Sequence, residues 1–187
     1  MVLQKAVFLD RDGVINKECD FVTKPEELEL LPYAADGIRL INQAGFLAIV
    51  VTNQSGIARQ LFSIETLYRI HNKMRRQLAQ KNAKIDAFYF CPHLPDPDIP
   101  NVKPEFNITC DCRKPKPGLL FRAQKEWNID LKRSFLIGDS HRDILCGKSA
   151  GIATIVVKTG KPFDERSIEA QFICENLLEA AKTILEN

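Results

Sequence analysis

The stretch AVFLDRDGVIN, residues 6–16, decides how the chain is read: four apolar residues in a row stop at Asp10, and a second carboxylate, Asp12, follows just before Gly13. An unbroken apolar run of this length reads as a strand buried on both faces, as in a parallel sheet covered by helices. Its end carries charge to the carboxyl edge of the sheet, where α/β proteins bind their ligands.

The pattern recurs down the chain. Residues 47–51 are apolar and end at Thr52, followed by Asn53-Gln54-Ser55-Gly56. Residues 135–137 end at Gly138-Asp139-Ser140-His141-Arg142-Asp143, and residues 87–90 and 154–157 complete five expected strands. Helical spacing separates them: Ile64, Leu67, His71, Met74 and Leu78 behind a capping Ser63, then Leu119 or Leu120, Ala123 and Trp127 entered through Pro117 in the first turn. Residues 37–44 and 142–150, closed by Gly45 and Gly151, read as shorter helices with glycine C-caps. The tail from Asn176 reads as an amphipathic helix. Alternating strand and helix predicts an α/β fold, a Rossmann-like doubly wound parallel sheet forming a single domain over residues 1–187.

The 187 residues are 45% hydrophobic and 27% charged, enough to bury a full core. A net charge of +2 is too small to imply a nucleic-acid surface, so partners are argued from sites. No apolar run approaches the ~20 residues of a membrane helix, and an acidic residue at position 10 interrupts any signal-peptide core. The expectation is a cytoplasmic monomer with a small-molecule partner, no nucleic acid and no membrane.

Three strand ends sharing one edge bring Asp10, Asp12, Thr52 and Asp139 into one acidic, hydroxyl-lined crevice. Two buried carboxylates repel and desolvate one another, so a cation must offset them. Hard oxygen ligands suit Mg2+, with Asp10, Asp139 and the backbone carbonyl of Asp12 as ligands. A metal-assisted carboxylate can attack phosphorus and form an aspartyl-phosphate, which makes Asp10 the nucleophile. Asp12 is placed as general acid and then base. Thr52 and the backbone N–H groups of Asn53 and Gln54 are placed to stabilise the phosphoryl oxygens. The competing reading, that Asp10 and Asp12 merely cap a loop, does not explain the ordered recurrence of polar strand ends.

Residues 92–117 hold seven of the ten prolines and have little apolar content. Cys91, His93, Cys110 and Cys112 flank this segment. Three sulfurs and one imidazole match a closed tetrahedral Zn2+ site, making residues 91–112 a zinc loop whose folding the metal supports. A redox pair or buried thiols would not require the histidine. Fixing Cys112 would hold Arg113 and Lys114 at the crevice, with Lys114 on the transferring phosphoryl and Arg113 gripping another anionic part of the substrate. Cys19, Cys146 and Cys174 remain as free thiols.

Together the motifs Asp10-Arg11-Asp12-Gly13, Thr52, Lys114 and Gly138-Asp139-x-x-x-Asp143 make the chain resemble a phosphatase of the haloacid dehalogenase superfamily. That resemblance implies magnesium, a phospho-aspartate at Asp10, acid/base work at Asp12, and Asp143 as a support for Lys114 or the metal. Val14 stands where many relatives have Thr. The short spacing between motifs leaves no room for a cap domain, so selectivity falls to short loops. The substrate set is Arg11, Glu18, Cys19, Asp20, Phe21, Asn53, Gln54, Ser55, Arg59, Arg113 and Ser140. The run from Thr52 to Arg59, with the zinc loop, most resembles the phosphatases that remove the 7-phosphate of a heptose 1,7-bisphosphate for surface-glycan synthesis. Departures are Phe21 for Tyr, Gln60 for Gly and a longer zinc loop. The string Cys91-Pro92-His93-Leu94-Pro95 also resembles the histidinol-phosphate phosphatases, the rival reading. A zinc-stabilised binding module without catalysis is the other alternative, against which the full set of carboxylates speaks.

Overall fold

The apolar runs are buried because each is sandwiched. In the computed structural model, which describes residues 3–96, 98–162 and 165–187, the strands are β1 (Ala6–Leu9), β2 (Leu47–Asn53), β3 (Ala87–Cys91), β4 (Phe135–Gly138), β5 (Ala153–Val157) and β6 (Phe172–Cys174). They form one parallel sheet in the order β3-β2-β1-β4-β5-β6. The sequence pattern accounts for five of these; the sixth is a three-residue edge strand. Pro97, inside the expected zinc loop, lies outside the described residues.

Alternate residues of each strand serve opposite faces. Val7, Leu9, Val50, Ile137 and Ile155 pack with α1 (Ala34–Gln43), α2 (Ile64–Ala79) and α5 (Leu177–Glu186). Ala6, Phe8, Ile49, Val51 and Leu136 pack with α3 (Gly118–Trp127) and with Cys146 of α4 (His141–Ser149). Both faces are covered, which is why the strands lack a polar alternation.

Helix starts follow local chemistry. Ser63 accepts from the Thr66 N–H at the head of α2, and Asn176 accepts from Leu178 and Glu179 at the head of α5, as capping requires. Helix α1 begins three residues earlier than the glycine pattern suggested, behind Tyr33 in the left-handed region at φ 64°. Pro117 proves to be the N-cap of α3 rather than a first-turn residue.

The chain reverses direction across the sheet between β1 and β4, so the crevice opens beyond their carboxyl ends. The Asp10 N–H donates to Ile137 O at 2.9 Å, continuing the ladder as the two strands part. A smaller apolar cluster beside this edge, Ile57, Phe62 and Leu67 with Phe21, Phe90 and Phe106, fastens the loops that line it. The segment before Cys110 is tied to the same place, with Lys103 N–H donating to Ala58 O at 2.9 Å and Gln60 Nε2 to Asn101 O at 2.7 Å. No separate cap is present among the described residues.

Candidate active site

A cavity of about 210 Å³ opens at the switch point, lined by side chains from the loops that follow β1, β2, β3, β4 and β5. At its floor the buried Lys114 ammonium lies 2.9 Å from Asp10 Oδ2 and 2.6 Å from Asp143 Oδ1. Burial works against the lysine's charge, but Asp10 and then Asp143 outweigh it and raise its pKa above the usual value. Asp143 is fully buried and fully engaged: its second oxygen accepts from the backbone N–H and hydroxyl of Ser140, which makes it part of the cap of α4.

Asp139 is wedged between two glycines. A Cβ on Gly13, whose φ is +77°, would lie 2.3 Å from Asp139 Oδ2, and one on Gly160 would lie 2.0 Å from it. The same oxygen accepts from the Lys161 N–H at 3.0 Å. Only residues without side chains allow the backbone this close to the carboxylate.

Asp10, Asp139 and Asp143 place carboxylate oxygens within 4.8 Å of one another, against one ammonium. Burial first, then the neighbouring carboxylates, push Asp10 up to about 7 and Asp139 up to about 6, with Lys114 opposing the rise at Asp10. Carboxylates this crowded and desolvated lack positive charge, and a hard divalent cation such as magnesium fits the oxygen donors present.

Asp12 is held differently. Arg11 forks onto it with Nη2 2.8 Å from both oxygens, Asn16 Nδ2 donates to Oδ1 at 2.9 Å and Gln54 Nε2 to Oδ2 at 3.0 Å. Burial acts to raise its pKa, but Arg11, then Asn16 and Gln54, hold it below the ordinary carboxylate value. Thr52 is buried and accepts from Gln54 Nε2 at 3.0 Å, which leaves its hydroxyl proton to donate.

The structure gathers most of the expected set on the cavity wall: Asp10, Asp12, Glu18, Asp20, Phe21, Thr52, Asn53, Ser55, Arg59, Arg113, Lys114, Asp139 and Ser140. Three expected substrate residues are elsewhere. Arg11 is 1% exposed and spent on Asp12. Gln54 is buried, its side chain holding Asp12 and Thr52 and its N–H donating to Cys91 O at 2.8 Å, so neither group is free for a phosphoryl oxygen. Cys19 is exposed and off the wall. Conversely, Arg142 and Lys161 line the cavity and were not anticipated. Lys161 follows β5, whose end carries no carboxylate to draw attention to it; the Thr159-Gly160-Lys161 turn was the available signal.

Cys91, His93, Cys110 and Cys112 converge as expected. Tetrahedral zinc with Zn–S bonds of about 2.3 Å and a Zn–N bond of about 2.0 Å has donor–donor edges of roughly 3.5–3.8 Å. Here the edges are 3.5 Å (Cys91 Sγ to His93 Nδ1), 3.6 Å (Cys91 to Cys110), 3.3 Å (His93 Nδ1 to Cys112) and 3.3 Å (Cys112 to Cys110). Hydrogen bonding from Cys91, against burial, pulls the Cys112 thiol down to about 5, so the cluster favours a thiolate. Donor set and size are compatible with zinc. From this cluster Arg113 reaches back, its Nη1 donating to His93 O at 3.0 Å.

The fold and this constellation define a hydrolase of the haloacid dehalogenase type, and residues 111–180 match the HAD-hydrolase-like family model. The D-glycero-beta-D-manno-heptose-1,7-bisphosphate 7-phosphatase of Pasteurella multocida is 39% identical over 97% of this chain and 97% of its own length. A relative from Photorhabdus laumondii named for the alpha substrate is also 39% identical, over 96% of each chain. The crystal structure of the D,D-heptose 1,7-bisphosphate phosphatase of B. bronchiseptica, complexed with magnesium and phosphate, superposes with a TM-score of 0.82 at 36% identity, over 98% of this chain and 99% of that one. The chain belongs to the family of D-glycero-manno-heptose-1,7-bisphosphate 7-phosphatases, which are phosphoric monoester hydrolases.

Proposed function

We propose that the chain removes the 7-phosphate of D-glycero-D-manno-heptose 1,7-bisphosphate through a phospho-aspartate at Asp10. The observation that carries this reading is the buried ammonium of Lys114 set against Asp10 at the switch point, with Asp12 and the Thr52 hydroxyl on the same wall. An Asp10 oxygen attacks phosphorus, the bond to the sugar oxygen breaks, and that oxygen takes a proton from Asp12. Water then attacks the phosphorus of the acyl phosphate, Asp12 takes its proton, and the Asp10 carboxylate leaves. The Arg11 fork favours the ionised Asp12 that the second half uses, so Asp12 must turn away from Arg11 to hand over a proton in the first. Lys114 and Thr52 stabilise the transferring oxygens.

Magnesium bound by Asp10, Asp139 and the Asp12 carbonyl would supply positive charge to the carboxylates and the phosphoryl group alike. Zinc at Cys91, His93, Cys110 and Cys112 would be structural, closing the loop that carries Arg113 and Lys114. The whole chain acts as one domain and as a monomer, the scheme calling on no second copy. No helix among the described residues is long and apolar enough to cross a membrane, and a freely diffusing sugar phosphate fits a cytoplasmic enzyme of heptose supply for surface glycans.

A bisphosphate gives purpose to the other cations on the wall. Arg59 stacks over Phe21, 5.8 Å from its ring centroid, with a buried Nε that has no hydrogen-bond partner among the described residues, and Arg113 stands just beyond Cys112. Histidinol phosphate, with a single phosphate, would leave these unmatched. Phosphate release should be compared across both heptose 1,7-bisphosphate anomers, fructose 1,6-bisphosphate and histidinol phosphate, with Asp10→Asn as the inactive control. Fastest turnover of a heptose anomer is expected. Preference for histidinol phosphate over both anomers would overturn the substrate, and full activity in Asp10→Asn would overturn the chemistry.

A further inference from the structure

The Lys114 ammonium is held at its tip by Asp10 and Asp143, and the point from which its side chain starts is set by its backbone. Both backbone polar groups of Lys114 end on one side chain. Its N–H donates to Asn53 Oδ1 at 3.0 Å, and its C=O accepts from Asn53 Nδ2 at 3.0 Å. An amide offers a donor and an acceptor side by side, the complement of the two groups of a single residue. Lys114 is 3% exposed, so neither group has water as an alternative.

Asn53 itself is anchored at both ends of this link. It closes β2, where it pairs in register with the zinc-cluster residue Cys91, and its side chain crosses to the segment two residues beyond Cys112. The neighbouring turn is held by Lys116 N–H to Arg113 O and Gly118 N–H to Asp111 O, both at 2.9 Å, and from outside by Arg113 Nη1 to His93 O and Cys146 Sγ to Lys116 O, while Asn53 is the link that ties the backbone of Lys114 itself to β2, the strand paired with β1 that leads to Asp10.

We infer that the Asn53 side chain is a positioning residue for Lys114, acting on phosphoryl transfer through the lysine rather than by touching the substrate. This rests on the phosphatase reading above. The alternative for a polar side chain on the cavity wall is direct contact with the phosphoryl group, and a cycle of variants separates the two.

Turnover of heptose 1,7-bisphosphate and calorimetric binding of orthovanadate, a phosphoryl mimic, are measured with magnesium for wild type, Asn53→Ala, Lys114→Met and the double variant. Asn53→Ala should lower kcat by roughly 30-fold or more with KM within about threefold, and weaken orthovanadate about tenfold. In the Lys114→Met background the same substitution should change orthovanadate affinity by less than about twofold, because the group it positions is gone. Equal weakening in both backgrounds, or unchanged kcat in Asn53→Ala, overturns the inference. If Lys114→Met itself leaves turnover and orthovanadate binding intact, the phosphatase reading falls with it. Should Asn53→Ala fail to fold by thermal melting, Asn53→Ser, which shortens the side chain without adding charge, carries the same cycle with the same expected result.

Discussion

Replacing Asp143 with Asn tests whether the lysine at the floor of the cavity is held by a true buried ion pair. Asp143 is 0% exposed and its Oδ1 lies 2.6 Å from the Lys114 ammonium. At an effective dielectric near 20 such a contact has a gross attraction of about 6 kcal/mol, most of it offset by the desolvation of both groups. Breaking a buried pair by neutralising one partner costs about 3–5 kcal/mol, because the other charge is left behind. Two features put Asp143→Asn at the lower end. The amide oxygen can still accept from the Ser140 N–H that caps α4, and Lys114 keeps Asp10 at 2.9 Å. The expected loss is therefore about 3 kcal/mol, or about 6–12 °C in Tm for a domain of this size. Urea unfolding without added magnesium reads the stability, and steady-state kinetics with magnesium reads the second consequence. With Asp143 neutral, Lys114 is drawn onto Asp10 alone, so kcat should fall while the far-UV spectrum stays native. A stability loss under about 1 kcal/mol would show that the geometry is incidental and would remove Asp143 from the account of how Lys114 is placed.

Burial, and secondarily Arg11, lowers the pKa of His71 from 6.5 to about 3, and its ring stacks on Phe88 at 4.3 Å. The unfolded chain binds that proton below about pH 6.5 and the folded chain does not, so stability is full above 6.5 and is lost as pH falls toward 3. Between pH 7 and 5 this amounts to about 2 kcal/mol, reduced to the extent that the site is not fully dry. Wild type should lose that much more than His71→Leu in paired urea titrations at the two values, and parallel losses would show that His71 does not titrate this way. Cys112→Ala removes one corner of the four-donor cluster. Metal analysis should show zinc falling from one per chain to a small fraction, with proteolysis quickening between residues 95 and 109. Unchanged zinc content would remove Cys112 from the ligand set.

The chemistry of this chain was legible where residue type and strand end coincide. Asp10, Thr52 and Asp139 each close an apolar run, and parallel pairing forces such ends onto one edge, so their convergence needed no knowledge of side-chain packing. The Cys/His cluster was legible for a different reason: no other arrangement makes three thiols and an imidazole useful beside a proline-rich loop. What escaped was direction. Arg11 stands between two cavity-wall carboxylates in sequence, yet the turn after β1 sends its side chain inward to fork onto Asp12, because a half-buried carboxylate facing Gln54 and Asn16 still lacks a positive partner. Gln54 was misread in the same way; its neighbour Asn53 lines the cavity while Gln54 is consumed in holding Asp12 and Thr52. The residues that shape the acidic corner around Asp139, Gly13 and Gly160, lie 147 positions apart and carry no chemistry of their own, so only the closeness of Asp139 to both backbones reveals them. Sequence thus exposes the groups that react, because their chemistry is rare, whereas the groups that aim them are ordinary residues distinguished only by what they touch.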